Sequence, residues 1–129
     1  MHRCFTNILT EEVAVTAAFY EELLGLKRQT STDGFVLLAD PDSPGLELGI
    51  LNQTSDIVPV RAQRAPAGVI LTFVVGNCDT VYERATAMKA NIVEAPRELA
   101  DGRRRMILRD PAGTFVDISS PVRETVKTA

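Results

Sequence analysis

The feature of this sequence that most limits its fold is an internal repeat of a turn and the strand that follows it. Asp40-Pro41 precedes Glu47, and Asp110-Pro111 precedes Asp117, with each carboxylate the same distance beyond its Asp-Pro pair. Strand-forming and helix-forming patterns lead up to the turn in the same order in both halves. A repeat this long indicates two copies of one supersecondary unit, neither of which can bury its apolar face alone.

The repeat predicts a single domain over residues 1–129, made of two modules. The first module covers about residues 3–52 and the second about residues 68–121. Residues 53–67 are polar and contain prolines, which is typical of a linker. Residues 122–129 are expected to form a frayed tail.

In the first module, turn residues and hydrophobic spacing predict a strand, a helix and three strands. Thr10 is the expected N-cap of the helix, with Glu11 and Glu12 in the first turn, where carboxylates favour the helix dipole. Gly25 is expected to end the helix in the left-handed conformation. The predicted strands are residues 5–10, 26–31, 35–39 and 46–52.

The second module repeats this pattern. Asn77 or Asp79 is the expected cap of its helix, and Asn91 is expected to take the left-handed conformation after it. The predicted strands are residues 69–75, 92–95, 104–109 and 114–119.

The composition is that of an ordinary soluble globular protein, with 45% hydrophobic and 24% charged residues. No apolar run is long enough to cross a bilayer, and the N-terminus becomes polar too soon for a signal peptide. We therefore predict a cytoplasmic protein that binds no membrane. A net charge of −3 and few aromatic residues argue against nucleic-acid binding.

The two cysteines, Cys4 and Cys78, match no zinc or redox spacing and are expected to stay reduced. Both are predicted to be small buried hydrophobic residues. A catalytic thiol would also lack a general base, because the only histidine is His2 beside the terminus.

Three stretches resemble the vicinal oxygen chelate superfamily, which includes glyoxalases, bleomycin resistance proteins and dioxygenases. The resemblance covers about residues 3–121, and residues 109–117, with the Arg-Asp-Pro-Ala-Gly turn, are its most specific part. The other two stretches are residues 5–26, with Phe19-Tyr20 and Leu24-Gly25-Leu26, and residues 71–79. The resemblance implies an α+β fold in which two tandem βαβββ modules form a curved mixed β-sheet cup.

Metal-dependent members of that superfamily place four ligands on the first, fourth, fifth and eighth strands. Carried over to this sequence, those positions are Phe5, Glu47, Ile70 and Asp117. The two carboxylate positions match, whereas the two positions that normally supply nitrogen ligands are apolar. Two carboxylates alone favour hard cations. We therefore expect no cofactor, with a divalent metal held by Glu47 and Asp117 as the alternative.

Strand alternation places Glu47 and Asp117 on faces that line the cavity in this fold. They are the candidate catalytic residues, and two interpretations are open. One of them acts as a general base on a small polar metabolite, or each accepts a hydrogen bond from Asn7, Thr72 or an arginine and does no chemistry. The other candidate ligand-binding residues are Phe5, Ile70, Phe115 and Arg105.

Arg103-Arg104-Arg105 and Arg109 form the only charge cluster of the sequence. The cluster either binds an anionic ligand or the acidic half of a partner, or forms a solvated strand edge that discourages strand addition.

The function that these features favour is the binding of a small organic molecule in the cup without a catalytic transition metal, as on the bleomycin-resistance side of the superfamily. Bleomycin itself is a poor candidate, because large flat ligands are held by aromatic stacking and this chain has no Trp. The alternatives are a metal-dependent lyase, isomerase or dioxygenase, and a metal-free enzyme with Glu47 or Asp117 as base, so the sequence leaves open whether the protein is an enzyme. The resemblance also favours a homodimer.

Overall fold

The computed structural model describes residues 1–121 and divides them into two compact units. The first unit is Met1–Gly68 together with Pro111–Thr114, and the second is Val69–Asp110 together with the chain from Phe115 onward. The predicted tail, residues 122–129, lies outside the described residues.

The first unit contains a four-stranded sheet and one α-helix. The strand order is β1-β4-β3-β2, with β1 and β4 parallel and the other neighbours antiparallel. A short 3-10 helix lies in the segment predicted as a linker. The elements are β1 (Thr6–Thr10), α1 (Val13–Leu24), β2 (Lys27–Thr32), β3 (Phe35–Ala39), β4 (Glu47–Asn52) and the 3-10 helix Val60–Ala62.

The second unit repeats the first with the same topology. Its strand order is β5-β8-β7-β6, again with the outer pair β5–β8 parallel and the rest antiparallel. The predicted α+β fold of two tandem βαβββ modules is therefore confirmed. The elements are β5 (Ile70–Val74), α2 (Cys78–Ala87), β6 (Asn91–Glu98), β7 (Arg104–Arg109) and β8 (Phe115–Ser120).

The core of the first unit lies between α1 and its sheet. Apolar residues recur at helical spacing along α1, and the helix packs against β3 and β4. Tyr20, Leu38 and Ile50 are completely buried there. The core of the second unit is built from smaller helix residues, since α2 contributes Val81 and Ala85 against β6, β7 and β8. No helix among the described residues has the length and hydropathy that a membrane span requires.

The start of α1 differs from the sequence prediction. The helix begins at Val13, so Glu11 and Glu12 precede it, and Glu12 occupies the N-cap position without a capping side chain. Thr10 instead ends β1, and its hydroxyl accepts a hydrogen bond from the backbone N–H of Glu12 at 2.9 Å. The prediction that Thr10 is the N-cap was wrong because β1 extends through Thr10, and its hydroxyl stabilises the turn between strand and helix.

The end of α1 was predicted correctly. Gly25 has φ 72°, and its N–H donates to the Glu21 carbonyl at 3.0 Å. A Cβ at this position would meet no atom within 4 Å, so the only penalty of a side chain there is conformational.

Gly25→Ala is expected to lower the free energy of unfolding by about 1–2 kcal/mol, because the left-handed conformation is higher in free energy for a residue with a Cβ than for glycine. Urea denaturation measures this loss. Gly76→Ala is the matched control, since a Cβ at Gly76 also meets nothing and its φ lies outside the left-handed range. Equal losses in the two variants would contradict the conformational explanation.

The second helix is capped as one of the two alternatives predicts. The Asn77 side chain accepts hydrogen bonds from the backbone N–H groups of Asp79 and Thr80. The predicted left-handed residue after this helix was wrong: Asn91 is the first residue of β6, and Lys89 has the positive φ of 59°.

Candidate functional site

Each unit has one sheet face that its own helix does not cover, which we call the helix-free face. In the first unit, the Thr16 hydroxyl on α1 contacts the Thr10 hydroxyl, which marks the face of β1 that the helix covers. Asn7 points to the other side, and the strand pairing places it beside Gly49. Glu47 shares this helix-free face because it lies two residues before Gly49 on β4.

Glu47 is bound by Arg3, whereas the sequence allowed for an arginine partner without indicating which one. Arg3 Nε donates to Glu47 Oε1 and Arg3 Nη2 donates to Glu47 Oε2, both at 2.9 Å. The same guanidinium lies 4.9 Å from the centroid of the Phe5 ring. Both carboxylate oxygens are therefore engaged, although the Arg3 side chain is 55% exposed. The only signal in the sequence was a basic residue two positions before Phe5.

Gly49 makes room for two side chains on the same face. A Cβ at Gly49 would clash with the Asn7 amide oxygen and would lie 3.2 Å from Cε1 of Phe35. The absence of a side chain on β4 thus lets Asn7 and Phe35 approach the backbone of the sheet closely. Asn7, which was predicted to bind the ligand, therefore lies against the backbone of β4.

In the second unit, the strand register shows which of the predicted residues are direct neighbours. Asp117 is paired with Thr72, whereas Ile70 is paired with Phe115, one step further along the sheet. Paired residues point to the same face, so all four lie on the helix-free face, and Thr72 rather than Ile70 is the direct neighbour of Asp117. The sequence alone did not fix this register, because Ile70 and Thr72 share one side of the strand.

Asp117 is buried and is held by two hydroxyl groups. Thr72 Oγ1 donates to Asp117 Oδ2 at 3.2 Å, and Ser119 Oγ donates to Asp117 Oδ1 at 2.8 Å. Ser119 was not among the predicted site residues, although strand alternation places it on the same face as Asp117. A carboxylate oxygen has more than one lone pair, so each oxygen can still accept a further donor.

Large apolar side chains on this face are exposed beside the buried carboxylate. Ile70 is 62% exposed, Val74 is 71% exposed and Phe115 is 40% exposed. The Arg109 guanidinium lies 4.8 Å from the centroid of the Phe115 ring, which is a cation–π distance. The face thus combines a polar centre with apolar surroundings.

The arginine cluster divides between the two sides of the sheet. Arg103 pairs with Asp101 at 2.9 Å in the turn before β7. The pKa of Asp101 is lowered mainly by the hydrogen bond from the backbone N–H of Arg103 and next by the hydrogen bond from its side chain. Arg104 pairs with Asp79 at 2.8 Å, and this hydrogen bond raises the pKa of Arg104. Arg105 is opposite Ser119 and so belongs to the helix-free face.

The prediction that this cluster forms a solvated strand edge was wrong. The strand β7 lies between β8 and β6 and therefore has hydrogen-bonded neighbours on both sides. Arg104 and Arg105 begin an interior strand, and their side chains are partly buried.

The two cysteines have different environments. Cys78 is buried at the start of α2, where its thiol donates to the Ile118 carbonyl at 3.4 Å. Burial raises the pKa of the Cys78 thiol, and the nearby Asp79 carboxylate raises it further, so Cys78 is an inert structural residue. The prediction that Cys4 is also buried was wrong, because the segment before β1 leaves it exposed.

A polar cleft of about 370 Å³ lies on the opposite side of the second sheet. Arg104 and Ser120, which line it, are directly paired and lie on the face that α2 covers. The cleft contains none of the predicted site residues. It is lined by Gly76, Asn77, Asp79, Glu98, Gly102, Arg104, Ser120 and Pro121.

The family model of the Glyoxalase/Bleomycin resistance protein/Dioxygenase superfamily matches residues 4–118. The chain belongs to this superfamily. No curated protein matches the chain.

Solved structures with the same fold support this assignment. A family enzyme from Burkholderia phytofirmans PsJN has a TM-score of 0.76 and 21% identity, over 90% of this chain and 95% of that one. A virulence protein from Salmonella typhimurium has a TM-score of 0.72 and 24% identity, over 95% and 98%. A lactoylglutathione lyase from Agrobacterium tumefaciens has a TM-score of 0.68 and 14% identity, over 93% and 94%. At these identities the likeness shows the fold alone.

The residues at the four superfamily ligand positions do not fit a transition-metal centre. The two nitrogen positions hold apolar side chains, and both oxygens of Glu47 already accept from the Arg3 guanidinium. Within residues 1–121, no three His, Cys, Asp or Glu side chains lie close enough together to hold a metal ion. Catalytic zinc and iron sites normally take three protein ligands with imidazole among them.

Proposed function

We propose that this superfamily member binds a small organic molecule on the helix-free face of the second unit. The observation that carries the proposal is the buried Asp117, held by Thr72 and Ser119, beside the exposed Phe115 and Ile70. Binding sites for small molecules combine apolar walls with a few fixed polar groups that orient the ligand. We place this function in the cytoplasm, as the sequence predicts.

The polar centre is suited to orient a ligand because its geometry is fixed. Two hydroxyl groups hold the Asp117 carboxylate from both sides, and Ser119 is itself 1% exposed. A donor on the ligand would meet oxygens that have free lone pairs and need no rearrangement. The exposed Phe115 ring would supply apolar contact area.

We also propose that binding needs no transition metal. The ion pair between Arg3 and Glu47 would have to break before Glu47 could act as a ligand. Asp117 is held by the hydroxyl groups of Thr72 and Ser119, which are weak ligands for zinc, nickel or iron. The proposed function therefore resembles that of the bleomycin resistance proteins more than that of the metal-dependent enzymes of the superfamily. Bleomycin itself is not the proposed ligand.

Two measurements on the purified protein test this function. Elemental analysis without chelator is expected to find far less than one metal per chain, and a thermal-shift screen of small organic molecules is expected to find stabilising compounds. About one metal per chain that is lost in Glu47→Ala would instead support a metal-dependent lyase, isomerase or dioxygenase.

Phe115→Ala is expected to weaken binding of the best compound about tenfold, the loss that follows from removing one well-packed aromatic contact. Isothermal titration calorimetry measures the dissociation constants. Ile57→Ala is the control, since Ile57 is also an exposed large apolar residue but lies in the first unit. Equal affinities in the wild type and Phe115→Ala would contradict binding on this face.

A second candidate is a metal-free enzyme with Asp117 as general base. It is favoured by the position of Asp117, a buried carboxylate beside the exposed apolar side chains of Phe115 and Ile70. If mass spectrometry shows that a bound compound is converted, Asp117→Asn is expected to stop conversion while binding persists. Unchanged conversion in Asp117→Asn would contradict this candidate, and Glu47→Gln tests the other carboxylate in the same way.

We further propose that the protein forms a homodimer. The strand β5 is at the edge of its sheet, a position that favours pairing with another chain. Sedimentation equilibrium distinguishes the mass of two chains, which we expect, from that of one chain, which would contradict the proposal.

A further inference from the structure

The arginines of the second unit are not equally neutralised. Arg103 and Arg104 have carboxylate partners within 2.9 Å. The closest carboxylate contact of Arg105 is Nη2 to Glu94 Oε1 at 3.5 Å, and the same oxygen accepts from Arg97 Nε at 3.3 Å. Glu94 therefore divides one carboxylate between two guanidinium groups.

Arg105 also has a polar atom without a partner. Its Nε is buried and donates to no acceptor among the residues that the structure describes, although the side chain as a whole is 26% exposed. A buried N–H that makes no hydrogen bond costs free energy, so the described residues do not fully satisfy this guanidinium. The exposed quarter of the Arg105 side chain is the part that an anionic ligand would contact.

The carboxylate that faces Arg105 is shared with a second arginine. Arg97 and Arg105 contact the same oxygen of Glu94, so one negative charge is divided between two positive ones. This arrangement favours an anionic ligand at Arg105 over a neutral or cationic one.

The position of Arg105 relative to the apolar residues sets the shape of the ligand. Arg105 lies opposite Ser119 on β8, and Phe115 lies four residues earlier on the same strand, about 13 Å away at about 3.3 Å per residue. Val74 lies next to Ser119 on the other side. A ligand with its charge at Arg105 would therefore pass Ser119 and contact Val74, and a longer body would reach Phe115.

We propose that the ligand is an organic monocarboxylate with an extended apolar body, and that Arg105 receives its carboxylate. This rests on the proposed binding function and adds the chemical class of the ligand. A guanidinium group is suited to this role because its planar N–H groups match the two oxygens of a carboxylate. The apolar body contacts Val74 and Phe115.

Matched pairs of acids and amides test the class of the ligand. The probes are 3-phenylpropionate and octanoate, each compared with its primary carboxamide, which has nearly the same shape without the charge. Titration calorimetry on the wild-type protein is expected to show the better acid binding at least about tenfold more tightly than its amide, since a charge-assisted hydrogen bond contributes that much. Equal affinities within both pairs would overturn the inference.

Substitutions at Arg105 test the residue. Arg105→Gln is expected to reduce the affinity for the acid to about that of the amide, and the Tm of the variant without ligand shows whether it is folded. Arg105→Lys keeps the positive charge but lacks the planar guanidinium. Its affinity for the acid is expected to lie between those of the wild type and Arg105→Gln. Arg103→Gln, which removes the same charge from the turn bound to Asp101, is the control and is expected to keep the preference for the acid. Equal losses in Arg105→Gln and Arg103→Gln would overturn the role of Arg105.

The outcomes separate this inference from the proposed function. If acids and amides bind equally well and Phe115→Ala weakens both, the binding function stands and the carboxylate class is wrong. If neither the acids nor any compound of the general screen binds, the proposed function is wrong as well.

Discussion

Ile118→Ala is expected to lower the free energy of unfolding by about 2–5 kcal/mol, the range for removing a large aliphatic side chain from a packed core. Ile118 is completely buried on the helix-covered face of β8, and its carbonyl accepts the hydrogen bond from the Cys78 thiol. The cavity left behind would lie between β8 and the start of α2. Because the buried residues of α2 are small, namely Cys78, Val81 and Ala85, the helix has little side-chain volume with which to fill it.

Urea denaturation with a common m-value measures this loss. Ile57→Ala deletes the same atoms at a site that is 75% exposed, and it is expected to change the free energy of unfolding by less than about 0.5 kcal/mol. A loss below about 1 kcal/mol in Ile118→Ala would mean that the core of the second unit is not packed as described.

Asp117→Ala is expected to lower the free energy of unfolding by about 1–3 kcal/mol, since it removes the acceptor of two hydrogen bonds. Ser119 is 1% exposed, so its hydroxyl is unable to replace its partner with bulk water. Asp117→Asn keeps one oxygen as an acceptor, and its amide nitrogen donates to the other hydroxyl after that hydroxyl rotates. Its loss is expected to be about 1 kcal/mol or less.

The comparison of the two Asp117 variants separates hydrogen bonding from charge. If Asp117→Ala is as stable as the wild type, the hydroxyl groups of Thr72 and Ser119 do not depend on the carboxylate. If Asp117→Asn loses as much as Asp117→Ala, the negative charge and not the hydrogen-bond geometry stabilises the face. Chemical denaturation of the three proteins at one pH decides between these outcomes.

The sequence predicted the architecture well because the fold depends on local patterns that occur twice. The strands Phe35–Ala39 and Arg104–Arg109 have the predicted bounds, and Gly25 and Asn77 end and begin their helices as their conformational preferences require. Each of these signals depends on a few neighbouring residues, so tertiary structure has little opportunity to override it.

The predictions that were wrong depended on competition between neighbouring elements. Thr10 has a hydroxyl group that is able to cap a helix, but it forms the last residue of β1 because it pairs with Asn52 on β4. Asn91 tolerates the left-handed conformation, but β6 begins at this residue and Lys89 makes the turn instead. The intrinsic propensity of a residue shows which backbone conformations it is able to adopt, and pairing with neighbouring strands determines which of them it adopts.

The candidate site was harder to predict because it depends on long-range register and ion pairs. The alternation of β8 correctly placed Asp117 and Phe115 on one face, but only the pairing with β5 shows that Thr72 is the neighbour of Asp117. Arg3 lies 44 residues from Glu47 in the sequence, and no local pattern connects them. The unequal neutralisation of the arginines likewise follows only from distances.

The most direct test of binding on the helix-free face is a titration followed by backbone amide resonances. With the compound that stabilises the protein most in the thermal-shift screen, we expect the largest shifts at Thr72, Arg105 and Asp117, which lie on that face of three adjacent strands. The largest shifts at Asn77 and Asp79 would place the ligand in the cleft on the opposite side of the sheet and would contradict the account.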